Sequence, residues 1–328
     1  AYVFKIVVGE AKLSTAAALR AIPYSAALST ATSLGCIAAG DGGGGVWRWD
    51  AASASNDNTG TVIKPTGHVG NGRWLRVYDK SNIDAGWFGL VGDGVTDNAA
   101  ALQAALDWAV DADAGACVTI PPGDYVINAT VSIPNQIGLC GETPGIGANE
   151  KRGVTFIAGH DLSDYILQNG LYASASPWAH GWLVSGIAFK NNAAKTANGF
   201  NAGSMGDCSR LERLKFTNFP IGLRIGGNAN PGTRAQVSCL IDTISLYSNT
   251  IGILFEGASV GAEIRNLMID TNGLSSGNAD AANAVKFINC DWGHFVMRQV
   301  HFEGRLPQKL FHAVDCSNAF LCLEHADI

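Results

Sequence analysis

Residues 87–97, WFGLVGDGVTD, divide this sequence into two unlike parts. The chain before them is Gly-rich and irregular, whereas an apolar helical pattern and a long series of short strand patterns follow them. The helical pattern has an apolar stripe at i, i+3, i+4 and i+7 spacing, from Leu102 to Ala109, and Asp97 is placed to cap its N-terminus. Because the first coil of a solenoid exposes an apolar end, we predict that this helix covers the start of a β-solenoid.

The composition favours an all-β chain with many turns. Of the 328 residues, 47% are hydrophobic, only 15% are charged and 40 are Gly. The net charge of −6 comes without a Lys/Arg-rich block, which argues against a nucleic-acid partner. Every apolar run is shorter than the roughly 18–20 residues that span a membrane, so we expect no membrane insertion.

Signals for metals and cofactors are weak. The eight cysteines include no CxxC pair, and the histidines show no metal-ligand spacing. Asp93 and Asp97 lack the carboxylate series of an EF-hand calcium loop. We therefore predict no metal and no cofactor. Most cysteines lie beside apolar strand residues, which favours reduced thiols packed as small hydrophobes in a protein assembled in a reducing cytosol.

Residues 1–80 form a first unit with short strand patterns and several tryptophans. The Gly run at 40–45 lacks the GK[ST] ending of a phosphate-binding loop, so it predicts a flexible turn before a strand. Residues 46–49 alternate as expected for a strand with one solvated face. The unit is therefore predicted to be a small β-rich module.

Two resemblances to known families rest on these segments. Residues 19–21, 41–45, 49–50, 61–65 and 72–77 together resemble the head-side module of bacteriophage tailspike proteins. Residues 87–97, 100–106 and 118–127 resemble the start of the pectate-lyase-like superfamily. The resemblances imply an all-β chain: a right-handed parallel β-helix with an N-terminal capping α-helix, preceded by a small β-rich head-side module.

We expect three parts along the chain. Residues 1–80 are the head-side module, which would attach to the virion and contains the Gly-rich turn. Residues 81–140 contain the hinge, the capping helix and the first coil, and residues 141–328 contain the rungs of the parallel β-helix. Because the chain starts without Met and ends at Ile328 inside a strand pattern, we expect a fragment of a longer protein with further rungs.

The part after residue 180 repeats the pattern apolar-x-x-apolar-x-apolar with a solenoid period. Asn266 falls where the chain must bend between two strands, and Asn tolerates that backbone. Because adjacent rungs stack about 4.8 Å apart and side chains alternate along a strand, the register predicts three outward columns. They are Lys190, Thr217, Tyr247, Asp270 and Glu303; then Ala188, Lys215, Ser245, Met268, His301 and Asp327; then Ser185, Glu212, Asp242, Arg265, Arg298 and Glu324.

Asp270 and Glu303 become neighbours on one face in this register. Two carboxylates roughly 5 Å apart can divide into a protonated acid and an ionised partner. That spacing suits a retaining glycosidase, and a larger one suits an inverting enzyme. His301 and Tyr247 beside them can stack on a sugar or move protons. The alternative is that all four are ordinary solvated residues on a sheet face.

Further candidate site residues lie outside this pair. Glu256 is a third candidate catalytic carboxylate, because it ends a strand of the other sheet, on the face where pectate-lyase-like enzymes keep their groove. Arg265 and Arg298 are either a structural charge ladder or an anchor for acidic sugars. Asp327 extends one outward column and is a candidate for substrate binding. Three tryptophans either line a glycan groove or pack in the core or between subunits: Trp178, Trp182 and Trp292.

The resemblance to tailspikes implies a function. The chain would be a receptor-binding protein of the phage tail that binds and hydrolyses bacterial capsular or O-antigen polysaccharide by carboxylate acid/base catalysis. It would be a homotrimer, would join a tail or baseplate protein through residues 1–80, and would be assembled in the host cytoplasm and act outside the cell. Two alternatives remain: a non-catalytic adhesin or attachment fragment whose active site lies beyond Ile328, and a polysaccharide lyase with His301 or Tyr247 as its base.

Overall fold

A computed structural model describes residues 10–22, 28–111, 117–144, 153–160, 162–171, 181–191, 196–227, 235–270, 283–303, 309–317 and 321–327. Within these residues the chain forms a small N-terminal sheet followed by a long parallel solenoid. None of the helices in this part of the chain is long and apolar enough to cross a membrane.

The N-terminal elements are β1 (Glu10–Leu13), α1 (Ala16–Arg20), β2 (Thr30–Ser33), β3 (Gly45–Asp50), β4 (Val62–Ile63) and β5 (Arg73–Arg76). The strands form one sheet in the order β1-β2-β3-β5-β4. Helix α1 begins where the Thr15 hydroxyl accepts a hydrogen bond from Ala18 N–H. Its Leu19 packs with Trp47 and Trp74, and all three side chains are fully buried. This confirms the predicted small β module.

The Gly-rich turn is more ordered than the predicted flexible turn. The Asp41 carboxylate accepts hydrogen bonds from the backbone N–H groups of residues 36–38 and of Gly43, at 2.7–2.9 Å. Partial burial opposes ionisation of Asp41, but these bonds hold its pKa below the ordinary value. The run is therefore a closely bonded turn that fixes the entry to β3.

Arg76 joins this turn to the segment that starts the solenoid. Its guanidinium donates hydrogen bonds to the carbonyl groups of Gly60, Gly44 and Gly43 at 2.5–2.8 Å. It also lies over the rings of Trp47 and Trp87, 4.6 and 4.8 Å from their centroids. A side chain at Gly45 would collide with this guanidinium, which explains why Gly is required there.

The next elements are β6 (Asn82–Asp84), the 3₁₀ turn η1 (Ala85–Phe88), β7 (Asp93–Asp97), α2 (Ala99–Asp111), β8 (Cys117–Ile120), β9 (Gly123–Ile127), β10 (Val131–Ile133), β11 (Gly138–Gly141), β12 (Val154–Ala158), β13 (Tyr165–Asn169), β14 (Leu183–Lys190) and β15 (Asn198–Gly203). They are followed by β16 (Met205–Thr217), β17 (Ile221–Gly226), β18 (Ala235–Tyr247), β19 (Ile251–Glu256), β20 (Ala258–Asp270), β21 (Asn283–Ile288), β22 (Asp291–Glu303), β23 (Lys309–Val314) and β24 (Leu321–Asp327). The solenoid strands pair in parallel throughout the described part of the chain.

Three faces enclose the core of the solenoid. Sheet 1 contains β6, β8 and β11 and continues through the first halves of β14, β16, β18, β20, β22 and β24. Sheet 2 contains β7, β9 and β12 and continues through the second halves of the same long strands. Sheet 3 contains β10, β13, β15, β17, β19, β21 and β23. The predicted parallel β-helix is confirmed.

One left-handed residue per rung makes the bend between sheets 1 and 2. Asn266 has φ 52°, which confirms the predicted bend, and its counterparts on other rungs are Arg213, Thr243 and Gln299 at φ 52–56°. The residues on either side of each bend are register partners on neighbouring strands, so the bends stack along the axis. A stacked one-residue bend fixes which side chains point outwards on both sheets.

Helix α2 covers the first coil as the sequence predicts. Leu102, Ala105, Leu106 and Ala109 are fully buried in the solenoid core. Asp97 accepts a hydrogen bond from Ala99 N–H at 3.1 Å, so it contributes to the predicted cap. The side chain of Asn98, which is buried, also bonds the backbone of Val91 and Thr96. The Gly-Asp-Gly segment therefore has an architectural role.

One expectation about the cysteines is wrong. Cys117 and Cys140 form a disulfide between β8 and β11, on neighbouring rungs of sheet 1. The other six cysteines are free. The prediction failed because the period of the first coil was not read from the sequence, so the proximity of these two residues was not recognised.

Candidate functional site

The three outward columns predicted from the sequence are present in the register. On sheet 2, Tyr247 pairs with Asp270, and Asp270 pairs directly with Glu303 on the next strand. The same column continues through Thr217 to Lys190 on the earlier rungs. Neighbouring strands lie about 4.8 Å apart, so the backbones of the two candidate catalytic residues are adjacent. The side chain of Glu303 lies outside the described part of the structure.

A groove runs beside this pair at the bend between sheets 1 and 2. It has a volume of about 440 Å³ and contains His301 and Met268 from the second predicted column. The bend residues Asn266 and Gln299 also line it. Met268 precedes Asp270 by two positions on the same outward face. The groove therefore lies two residues along β20 and β22 from the carboxylate pair, neither member of which lines it.

Tyr247 is held in place between the columns. Its ring lies under the Lys215 ammonium, with Nζ 4.5 Å from the ring centroid. Its hydroxyl donates to the Met268 sulfur at 3.4 Å. An aromatic ring fixed next to Asp270 in this way is suited to pack against a sugar ring.

The third column forms a network of ion pairs on sheet 1. The Glu263 carboxylate accepts two hydrogen bonds from the Arg265 guanidinium, both at 2.9 Å, and one from Arg298 Nε at 2.7 Å. Arg298 also pairs with Glu324. The Arg265 guanidinium, and then Arg298, hold the pKa of Glu263 below its ordinary value. This arrangement fits the predicted charge ladder, although the main partner of both arginines is Glu263 and not Asp242.

Glu256 lies far from the Asp270–Glu303 pair. It ends β19 on sheet 3, as the sequence predicts, and it immediately precedes β20, whereas Asp270 ends that 13-residue strand. The extended length of such a strand is about 40 Å, although the bend shortens the direct path. Glu256 instead forms an ion pair with Arg224 at 2.8 Å. The two carboxylates thus lie on different faces of the solenoid, Glu256 on sheet 3 and Asp270 on sheet 2.

The remaining candidates divide into core residues and residues that are not described. Trp182 is fully buried, stacks on Phe200 and donates from Nε1 to the Pro134 carbonyl, so it belongs to the core and lines no groove. Trp178 lies outside the described residues. Trp292 and Asp327 have a described backbone, and Asp327 pairs with His301 as predicted, but their side chains lie outside the described part.

No group of three or more metal-ligating side chains occurs among the residues that the structure describes. His312 lies on β23 of sheet 3, beside Lys309 and Lys286. Burial, and then the neighbouring Lys309 and Lys286, hold its pKa below the ordinary value. The chemistry of the described surface is therefore that of carboxylates, guanidinium groups and aromatic rings.

The sequence analysis did not identify Glu263 or the surface hollow that Glu263 lines, between strands β16, β18, β20 and β22. The signal was available, because Ile264 points inwards and both of its neighbours must then point outwards. The same argument places Arg210 and Leu240 on this face, in a column with Glu263. The shape of this hollow could not be predicted from the sequence, because it depends on irregular pairing between the strands.

Two segments of the chain match family models. Residues 12–79 match the phage tail protein small four-stranded β-sheet domain. Residues 83–164 match the rhamnogalacturonase A/epimerase, pectate lyase-like family. Both resemblances noted in the sequence are thereby confirmed. A search of curated proteins finds no significant match.

Solved structures share the architecture of the whole chain. The gp42 tailspike of Acinetobacter phage vb_AbaP_AS12 is 14% identical with a TM-score of 0.58, over 94% of this chain and 56% of that chain. The fold is that of phage tailspikes. The enzymatically active domain of tailspike protein 4 of bacteriophage CBA120 is 13% identical with a TM-score of 0.55, over 96% of this chain and 48% of that chain. This chain thus spans about half the length of both tailspikes.

Proposed function

We propose that this chain is part of a phage tailspike that binds and hydrolyses bacterial capsular or O-antigen polysaccharide. The match of residues 12–79 to a phage tail domain and the tailspike fold both support a place in a phage tailspike. The observation that carries the chemistry is the direct register pairing of Asp270 with Glu303 on the outside of sheet 2. Like charges on neighbouring strands cost stability unless one of them is protonated or the pair is used.

The proposed reaction is hydrolysis with retention of configuration. One carboxyl group of the pair donates a proton to the glycosidic oxygen, while the other carboxylate attacks the anomeric carbon and forms a glycosyl ester. The first group then removes a proton from water, which attacks the ester and releases the sugar. The backbones of adjacent strands lie about 4.8 Å apart, a spacing compatible with the separation of roughly 5 Å between carboxyl groups that this two-step route requires.

Neighbouring side chains position the polysaccharide in this proposal. The fixed ring of Tyr247 packs against the sugar next to Asp270, and His301 contacts the chain in the groove. Asp327, the register partner of His301 on the next strand, would extend these contacts, whereas Trp292, at the start of β22, would contact a more distant part of the polymer. An open groove across neighbouring rungs suits a repetitive polymer better than a small molecule.

The assembly is part of the same proposal. Residues 1–80 would attach the chain to a tail or baseplate protein, since their described part matches a phage tail domain. Three chains would form a homotrimer that is assembled in the host cytoplasm and acts, as part of the virion, at the cell surface. Arg76 would hold the attachment module against the start of the solenoid.

A panel of purified capsular and O-antigen polysaccharides tests the function. The protein is incubated with each polysaccharide, and both new reducing ends and the ultraviolet absorbance of unsaturated sugars are followed. We expect reducing ends without absorbance for at least one polysaccharide. Reducing ends with absorbance would establish a lyase, with His301 or Tyr247 as candidate base. Cleavage of none of them would contradict hydrolysis.

A non-catalytic adhesin is the second candidate. It is favoured by one observation, that this chain spans about half the length of the two solved chains described above, so the catalytic rungs can lie elsewhere. Retained binding to one polysaccharide of the panel, without any cleavage, would support it.

A further inference from the structure

The central part of sheet 1 contains a hollow that the proposed catalytic pair does not use. It has a volume of about 470 Å³, within the range of natural sugar-sized and drug-sized sites. Four adjacent strands, β16, β18, β20 and β22, contribute to it. The lining residues that matter for binding are Leu240, Gly261, Glu263, Arg265, Val296 and Arg298.

Two β-bulges frame the hollow. On one side, the register moves from Met205 opposite Val237 to Ser209 opposite Cys239, so β16 carries extra residues. On the other side, Val260 pairs with Trp292 but the next residue, Gly261, pairs with His294. Strand β22 therefore carries one extra residue at this point. The pairing of β18 with β20 between them shows no shift. Bulged strands bend, so the two central strands lie recessed between their neighbours.

The floor of the hollow is apolar although it is the outer face of a sheet. Leu240 and Val296 flank Glu263 in the outward column, and Val296 is only 8% exposed. Gly261 and Ser238 complete the floor with almost no side-chain volume. A pyranose ring has a face of C–H groups that can cover such a floor.

The rim of the hollow presents fixed hydrogen-bonding groups. Arg265 uses only Nε and one terminal N–H towards Glu263, and Arg298 binds Glu263 and Glu324. Since a guanidinium has five N–H donors, each arginine keeps donors that face the hollow or solvent. Their charges are already offset by carboxylates. The rim is therefore better suited to the hydroxyl groups of a neutral sugar than to an acidic sugar.

We infer that this hollow is a non-catalytic glycan-binding subsite for a neutral sugar residue of the same polysaccharide. The inference rests on the proposed function. Glu263 precedes Asp270 by seven residues on β20, a distance of roughly 20 Å along the strand. A polymer can occupy the hollow and the catalytic pair together, whereas a short fragment can reach only one. The hollow would thus hold the polymer on the protein during repeated cleavage.

Gly261→Trp tests the subsite, because a tryptophan there fills the hollow. A Cβ at Gly261 meets only the Val237 carbonyl, at 3.6 Å, so the backbone accepts a side chain. Gly261→Ala is the matched control, since it adds one methyl group and leaves the hollow open. Binding is measured on an array of purified bacterial capsular and O-antigen polysaccharides. Cleavage is measured separately, with the polymer and with fragments of one or two repeats.

We expect Gly261→Trp to weaken binding of the recognised polysaccharide by about tenfold or more, and Gly261→Ala to leave it unchanged. Cleavage of short fragments should stay at the wild-type rate, whereas cleavage of the dilute polymer should fall. Unchanged polymer binding by Gly261→Trp would overturn the inference, as would wild-type protein that binds no polysaccharide of the array.

Two further outcomes separate the subsite from its alternatives. If Gly261→Trp alters the oligomeric state in light scattering while Gly261→Ala does not, the hollow is a contact between subunits and the inference is wrong. If binding falls as expected but the wild-type protein cleaves no polysaccharide, the subsite stands and the proposed hydrolysis fails.

Discussion

At the scale of single residues, Arg76 shows how one side chain connects two units of this fold. Its guanidinium is mostly buried, and burial lowers its pKa to about 10, which still leaves it charged at neutral pH. Three carbonyl groups and two tryptophan rings surround the charge. One of those rings, Trp87, belongs to the turn η1 at the start of the solenoid. Arg76 therefore joins the two units, together with Tyr78, which packs against Trp87 and accepts a hydrogen bond from Trp108.

Arg76→Met should destabilise the N-terminal module by on the order of 3 kcal/mol, because it leaves buried carbonyl groups without donors. Denaturant unfolding followed by tryptophan fluorescence measures the change. Arg48→Met is the control, since Arg48 lies on the neighbouring strand with its side chain 55% exposed. Equal effects of the two substitutions would show that the buried contacts of Arg76 contribute little.

Thr243 occupies the bend position with an unfavourable side chain. It is β-branched and has φ 56°, whereas its stacking partner Asn266 is of a type that tolerates this region. Thr243→Asn should therefore stabilise the protein by about 1 kcal/mol in thermal or urea unfolding. The same change at Thr217, in the extended part of β16, should give no gain. A gain at both positions or at neither would argue against strain at the bend.

At the scale of elements, helix α2 protects the open end of the solenoid. Its buried face packs on η1, β8 and β10. Its Val110 is 51% exposed on the opposite face. The capping role is thus confined to one stripe of the helix.

Leu106→Ala should cost 2–5 kcal/mol, since it leaves a cavity between the helix and the first coil. Val110→Ala on the same helix should change the free energy of unfolding by less than about 0.5 kcal/mol. Urea unfolding of both variants measures the difference. Similar values for the two would mean that α2 does not seal the core.

Most of the solenoid was predictable because two simple periods govern it. Side chains alternate along each strand, and one bend residue per rung resets the alternation at the same place, so Asp270 and Glu303 could be paired from the sequence. Irregular features were not predictable. The bulges that shape the hollow change the register by extra residues, and the partner of Glu256, Arg224, lies on a rung whose spacing is variable. The three-carbonyl environment of Arg76 depends on distant Gly residues that follow no period.

At the scale of the whole molecule, the first coil combines three closures: helix α2, the N-terminal β module and the disulfide between β8 and β11. The cysteines of the rest of the chain remain thiols, and Cys239 is so deeply buried that the pKa of its thiol rises to about 12. The closures are therefore concentrated at one end of the solenoid.

A thiol count tests this distribution. Eight cysteines less the two in the disulfide leave six free thiols. Purified protein, denatured without reductant and titrated with Ellman's reagent, should release six equivalents, and eight after reduction. Eight equivalents before reduction would show that Cys117 and Cys140 are not joined. Cys117→Ser with Cys140→Ser should show six under both conditions.

The central claim is that Asp270 and Glu303 hydrolyse a surface polysaccharide, and the most direct measurement is the initial rate of reducing-end release by Asp270→Asn and by Glu303→Gln. Each substitution should lower the rate by about 100- to 10,000-fold with polysaccharide binding retained. Asp124→Asn, a carboxylate variant on another strand of sheet 2, should keep the wild-type rate. Wild-type rates in either Asp270→Asn or Glu303→Gln, or loss of cleavage in Glu256→Gln alone, would contradict this assignment.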